Sequence, residues 1–232
     1  MKYQFNELAQ QNIDFTNEDL VKEYDGKQKA TILDGLRLAK ELEVKPQDSI
    51  IEFGPGTGAL SIAMAKMCEH VYAVDTSSAM LEYITKSAKD NEVRNISTHH
   101  AGFLSYEHDG QPVDLIVTKF AFHHLPDMWK AVALTNFNKT LKMNGRVYIH
   151  DVIFSFEPEN HQASIDKWID EVTRTSGWSR EEFLVHVNEE YSTFSWILEA
   201  LIRKAGFKIV RSHYWSEAYG SILCRKVREL NC

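Results

Sequence analysis

Ile50-Ile51-Glu52-Phe53-Gly54-Pro55-Gly56-Thr57-Gly58 decides how the rest of this chain is read. An apolar run with strand character, opening at Ser49, gives way to three glycines spaced two apart. Leu60 to Met67 then continues with helical periodicity. Glycines between a strand and a helix let the backbone turn sharply and let a ligand approach without Cβ clashes. Upstream, Ile32, Leu33, Leu36, Ala39 and Leu42 recur on one helix face, which Pro46 ends. Downstream come a strand at Val71–Val74, a helix at Ser78–Asn91 capped by Ser77 or Ser78, and strands at Ile96–His99 and Val113–Thr118. A helix over Met128–Leu141, a turn at Asn144-Gly145 and a strand at Arg146–His150 complete the series.

Strand and helix therefore alternate five times, which predicts a parallel sheet covered by helices on both faces. The pattern breaks from about Val152 to Trp196, a polar, aromatic-rich stretch with helical spacing and no strand signal. Strand patterning resumes at Phe207–Val210 and near Ser221–Cys224. The expected organisation is one domain over 1–232: an N-terminal cap at 1–25, a core at 26–151, a helical lid insertion at 152–196 and the rest of the core at 197–232.

A chain of 232 residues is long enough to bury one sizeable core. Lys and Arg number 26 against 33 Asp and Glu, a formal net charge of −7, and no dense basic block occurs. Nucleic acid is therefore disfavoured as the main partner. Cys68, Cys224 and Cys232 are scattered and form no Cys-x-x-Cys pair, which argues against a zinc knuckle or a disulfide framework. The N-terminus lacks the apolar core of a signal peptide, and no apolar run reaches the roughly 18–20 residues a spanning helix needs. The expectation is a soluble, cytoplasmic protein with no membrane partner; oligomeric state is not readable.

Two ligand classes use a loop of this kind, dinucleotides and S-adenosyl-L-methionine (SAM). The dinucleotide fingerprint places its pyrophosphate on the helix N-terminus. Here the third glycine comes one residue early, and Ala59 takes the fingerprint's last position. Glu52 weighs for SAM, because a carboxylate repels a pyrophosphate and suits a sulfonium beside a zwitterionic methionine end. Asp75, closing the second strand, can accept hydrogen bonds from two ribose hydroxyls in either ligand class.

Glu52-x-Gly54-x-Gly56-x-Gly58, Asp75-x-Ser77-x-x-Met80, Asp114-Leu115-Ile116-Val117 and Phe122-His123-His124-Leu125-Pro126-Asp127, in that order, resemble the class I SAM-dependent methyltransferases. Leu141-Lys142-Met143-Asn144-Gly145 looks like a degraded form of that family's turn before the fifth strand. Ala205-Gly206-Phe207 matches its turn before the sixth. The resemblance spans about Tyr24 to Lys226. It implies an α/β Rossmann-like sheet of seven strands, mostly parallel with the last antiparallel, and a SAM cofactor across the strand C-termini. Carried over residue by residue, Glu52, Gly54, Pro55 and Gly56 would form the methionine and ribose side. Asp75 and Thr76 would serve the ribose, Met80 the adenine face, and Lys119 and Phe120 the methionine amino group. Gly102 and Phe103 would take the adenine edge, where Gly102 departs from the family by offering no carboxylate. Tyr24 is expected to close over SAM or to stay exposed.

An in-line methyl transfer asks mainly for alignment and exclusion of water. A hydroxyl or thiol acceptor would also need a base, for which His123, His124 and Tyr191 are the candidates, with structural packing the competing role for His124. His99-His100 does not predict a metal site, since adjacent strand residues point to opposite faces, and no metal is expected. Asp151 is a substrate contact or a loop cap. Trp168, Trp178 and Trp196 in the insertion are an acceptor cage or simply the lid's own core. The expected function is methyl transfer to a small-molecule acceptor. The alternatives are a SAM-binding regulatory module without turnover, an NAD-dependent oxidoreductase, and methylation of RNA or protein.

Overall fold

The computed structural model describes residues 5–8 and 30–230. Tyr24 and Cys232 lie outside the described residues. Thr31 caps α1 (Ile32–Glu41), its side chain accepting from the Asp34 N–H. The elements that follow are β1 (Ser49–Phe53), α2 (Ala59–Ala65), β2 (His70–Asp75), α3 (Ser78–Asp90), β3 (Ile96–His100), β4 (Val113–Lys119) and α4 (Asp127–Thr140). Then come β5 (Leu141–Phe154), α5 (His161–Thr175), α6 (Arg180–Glu189), β6 (Thr193–Phe194), α7 (Ser195–Lys204), β7 (Phe207–Tyr214) and β8 (Tyr219–Lys226).

The sheet runs β3-β2-β1-β4-β5-β8-β7, with β6 paired to the end of β5. The first five strands are mutually parallel, and β8 lies antiparallel between β5 and β7. The expected Rossmann-like architecture is therefore present. The crossover from β1 back to β2 and out to β4 opens a crevice beyond their C-terminal ends, where open α/β sheets hold ligands.

Strand alternation assigns the core to two faces. Ile51, Phe53, Ile116 and Ile149 pack with Phe122, Leu134 and Phe137 on one side. Ile50, Leu115, Val117 and Tyr148 pack with Ala39, Leu42, Leu60 and Met64 on the other. A third cluster, built on Val152, Trp168, Ile169 and Ala218, fastens α5 over the end of β5.

Three details differ from the sequence reading. β5 does not stop at His150 but continues to Phe154, so the helical insertion begins later than Val152. The segment expected to hold no strand contains the two-residue β6. The turn at Asn144-Gly145 is a bulge inside β5, where the partners step from Val113↔Leu141 to Leu115↔Arg146 and Asn144 takes φ 66°.

Candidate active site

The turn after β1 is set by backbone conformation. Gly54, Gly56 and Gly58 have φ of 65°, 54° and 82°, a region open to glycine at little cost. At Gly54 the space is closed as well, since a Cβ would lie 2.4 Å from the Ala121 Cβ. The Gly54 N–H donates to the Val74 carbonyl at 2.9 Å, tying the loop to the end of β2. Ser77 caps α3 by accepting from the Met80 N–H, which delivers Met80 buried to the same crevice.

These elements wall a cavity of about 630 Å³. Its sheet-end wall carries Gly54, Gly56, Asp75, Thr76, Met80 and Phe103, with Gly102 and Phe120 beside them. Phe103 stacks on Phe53 with centroids 5.1 Å apart. The Asp75 carboxylate accepts from the Ser77 N–H at 2.9 Å, and burial pushes its pKa up to about 6 against the backbone N–H groups that oppose the shift.

Glu52 is placed elsewhere. It lies behind the loop, 2% exposed, outside the cavity lining, and accepts from Ser61 Oγ at 2.5 Å. Burial outweighs Ser61 and Lys119 and pushes its pKa up to about 7. Its visible job is to join β1 to α2. Pro55 and Lys119 also stay out of the lining.

The Gly102 position has a structural account that the sequence did not offer. The Glu7 carboxylate fills the space beside it, accepting from the Leu104 N–H at 3.0 Å, the Ser105 N–H at 2.9 Å and Ser105 Oγ at 2.6 Å. A Cβ at Gly102 would lie 2.3 Å from Glu7 Cδ. A carboxylate from residue 7 thus stands beside Gly102 at the cavity wall. Removing it in Glu7→Ala should weaken SAM binding by about 3- to 10-fold, the effect of one modest hydrogen bond, in a calorimetric titration.

The opposite wall comes from the lid, through Val172, Trp178, Phe183 and His186. Of the three lid tryptophans, Trp168 is buried in the lid's own core, Trp178 faces the cavity and Trp196 is 62% exposed.

Between the walls lies a polar cluster. Asp151, fully buried at the end of β5, accepts from the Phe122 and His123 N–H groups at 2.8 and 3.1 Å and from the Val152 N–H at 2.7 Å. His123 Nδ1 is 2.5 Å from Asp151 Oδ1, and its Nε2 is 3.2 Å from Glu190 Oε2. Glu190 also contacts His186 Nδ1. Burial pulls the His123 ring down, but the two carboxylates outweigh it and favour the charged ring. His124, buried beside that charge, is pushed down to about 4 and stays neutral. Of the three base candidates, His123 and His124 line the cavity, while Tyr191 is not in its lining and packs its ring edge-on to Phe5 at 6.2 Å.

The lid's return strand is fastened to the loop that carries the histidines. The Tyr191 N–H donates to the His123 carbonyl at 2.8 Å, and Thr193 Oγ1 donates to Asp127 at 2.9 Å. Lys130, 2% exposed, reaches Asp127 and the Tyr191 carbonyl. Lys130→Met would leave that buried carbonyl without its donor, so it should cost about 1–3 kcal/mol in chemical denaturation and loosen Glu190.

A family profile for a methyltransferase domain matches residues 50–145, the stretch from β1 to the bulge in β5. An uncharacterized methyltransferase of Bacillus pumilus is 29% identical over 170 residues, 73% of this chain and 74% of that one. Another from Oceanobacillus iheyensis is 31% identical over 130 residues, 56% of this chain and 58% of that one. Residues 50–145 of the chain therefore carry a methyltransferase domain. The fold agrees: a SAM-dependent methyltransferase from Aquifex aeolicus superposes with TM-score 0.66 at 17% identity, covering 91% of this chain and 99% of that one. As a methyltransferase it uses SAM, and the oxidoreductase alternative falls. Among the described residues no helix is long and apolar enough to cross a membrane.

The cavity fits the cofactor on its own evidence. It carries a buried carboxylate at the tip of β2, a glycine turn that keeps side chains out of its floor, and a volume within the roughly 300–1,000 Å³ of small-molecule sites. Sequence reasoning missed Glu7 and His186, while Glu190 stands in the polar segment Glu189–Phe194 that the sequence marks as able to orient an acceptor. His186 and Glu190 are four residues apart, a spacing that puts both on one helix face and was the available signal for the pair.

Proposed function

We propose that this methyltransferase methylates a small-molecule acceptor held between the sheet ends and the helical lid. The observation that carries this reading is one continuous cavity with two different walls. One has the glycine turn and Asp75; the other is the lid's Val172, Trp178 and Phe183, with the histidine–carboxylate cluster between them. A lid in contact with the reacting region leaves space for a compact acceptor rather than a folded macromolecule, and the negative net charge is unsuited to nucleic acid.

SAM supplies an electrophilic methyl group on a sulfonium. The Asp75 carboxylate would accept the ribose hydroxyls, and Gly54 and Gly56 would let the methionine end approach the backbone. Met80 and Phe103 would cover the adenine, with Glu7 at its edge. Phe120, with φ 52°, turns the chain at the end of β4 so that His123 and His124 face the cavity. The lid excludes water, and His124 is the neutral group beside the acceptor's proton.

The test is a calorimetric titration with SAM and S-adenosylhomocysteine, followed by incubation of the protein with methyl-labelled SAM and separate metabolite, RNA and protein extracts. Micromolar binding and label in the metabolite fraction are expected. Label in RNA or protein would overturn the small-molecule reading, and binding without turnover in any fraction would leave a regulatory SAM-binding module.

A further inference from the structure

We propose that His123, His186 and Glu190 bind a divalent transition-metal ion on the acceptor side of the cavity, with its open positions available to an oxygen of the acceptor. The three residues come from separate places, the loop after β4 and the last turn of α6 with the residue beyond it. All three nevertheless line one cavity, and one donor atom from each lies within 4.8 Å of the others. A group assembled over such sequence separation, two of its three members delivered by the lid, is more than a chance surface cluster.

Its geometry is that of convergent ligands. Both imidazoles turn a nitrogen to the same atom, Glu190 Oε2, which is buried and accepts no hydrogen bond of acceptable geometry. The far nitrogen of each ring is already engaged. His123 Nδ1 is held by Asp151, and His186 Nε2 lies 2.9 Å from Ser192 Oγ. Metal-bound histidines characteristically have that outer partner, which fixes tautomer and ring orientation. Asp151 cannot swing away, because three backbone N–H groups hold it.

The donor set selects the ion. Two imidazoles and one carboxylate suit zinc and its divalent first-row neighbours, whereas calcium and magnesium prefer all-oxygen sites. Tetrahedral ligands about 2.0–2.2 Å from an ion stand roughly 3.3–3.6 Å apart. The 3.2 Å between His123 Nε2 and Glu190 Oε2 falls just short of that spacing, and His186 Nδ1 has to back away from Glu190 to reach it. Three protein ligands leave at least one position open, the arrangement of sites that bind a reactant rather than only stabilise a fold. The acceptor class this selects is one with a metal-coordinating oxygen, such as a phenol, an enol or a hydroxy acid. That last step rests on the methyl-transfer reading above; metal binding itself does not.

The test uses tag-free full-length protein stripped with EDTA and dialysed against Zn²⁺ or Co²⁺, with bound metal measured by elemental analysis and the Co²⁺ form by its visible spectrum. About one equivalent is expected, with an intense tetrahedral-type Co²⁺ band. His186→Ala and Glu190→Gln should each weaken binding at least 100-fold, and Asp151→Asn 10- to 100-fold. His99→Ala should leave binding unchanged. Circular dichroism melts of each variant report whether it folds. Less than 0.2 equivalent in the wild type, or equal retention by folded His186→Ala and Glu190→Gln, would overturn the metal site and leave a hydrogen-bonded chain from Asp151 to Ser192. Failure to bind SAM in the parallel titration would instead sink the methyl-donor reading and leave the metal result standing.

Discussion

Asp75→Asn should lose SAM binding while the ligand-free protein becomes no less stable. The carboxylate ends β2 inside the cavity, and burial has pushed its pKa from 3.8 up to about 6. A folded-state pKa above the unfolded value means the fold favours the neutral acid. The associated stability is fully present below about pH 4 and is lost as pH rises through about 6. Above that, the ligand-free protein carries an ionised carboxylate it would rather not have, at a cost on the order of 1–3 kcal/mol. Asparagine never ionises and retains one oxygen for the Ser77 N–H, so at pH 8 melting should be unchanged or a few degrees higher. Binding moves the other way. On the proposed reading the charged oxygens accept the ribose hydroxyls, and each charge-assisted bond lost is worth about 1.5–3 kcal/mol, roughly 10- to 150-fold in Kd. Wild-type affinity should also fall as pH drops below about 6, and the variant's profile should be flat there. A variant that melts lower and binds SAM normally would show that Asp75 is a structural turn residue instead.

Local chain geometry explains why the sheet-end wall of the cavity was legible in the sequence and the lid wall was not. Gly54, Gly56, Asp75 and Met80 obtain their positions from local chain geometry: a glycine turn after a strand, a carboxylate at a strand tip, a capped helix start. Such features are written at fixed offsets, and the structure brings these residues to one cavity. Glu52 belongs to the same motif, yet alternation along β1 sends Phe53 toward the cavity and Glu52 to Ser61 behind it. Charge argued for a ligand contact where strand direction decided otherwise.

Glu7 was hidden for a different reason. Nothing near it in sequence signals a site; it matters because Gly102, 95 positions on, leaves it room. His186 and Glu190 reach His123 only because Lys130, Thr193 and the Tyr191 N–H fasten the lid's return to the loop after β4. Two-residue β6 and the polar second half of β7 failed as patterns too. The first is too short to show a period, and the second is interrupted by a register shift between Ile209 and Arg211. Long-range pairing, not propensity, makes both strands.

The largest loss of stability should come from Asp151→Asn. This carboxylate is 2% exposed and has four partners: the N–H groups of Phe122, His123 and Val152, and the His123 ring. Carboxylates accept at both oxygens, and every one of these partners is a donor. A carboxamide presents an NH₂ to one side of that set, so at least one buried N–H faces another donor, and the His123 ring loses its counter-charge. Breaking a buried pair by altering one partner costs about 3–5 kcal/mol. In a chain of this size that is a fall of roughly 6–20 °C in melting temperature. The damage should be concentrated where the chain turns with Phe120 at φ 52°, because Asp151 is what holds the following loop against β5. Hydrogen exchange should therefore report lost protection at Phe122 and His123 well before β1 and β4 exchange. Methyl transfer should fall more than SAM affinity, since Asp75 and the glycine turn lie on other strands. A melting temperature within about 2 °C of wild type would mean that the loop is held by its packing on Phe103 and Phe137, and that Asp151 serves only the histidine.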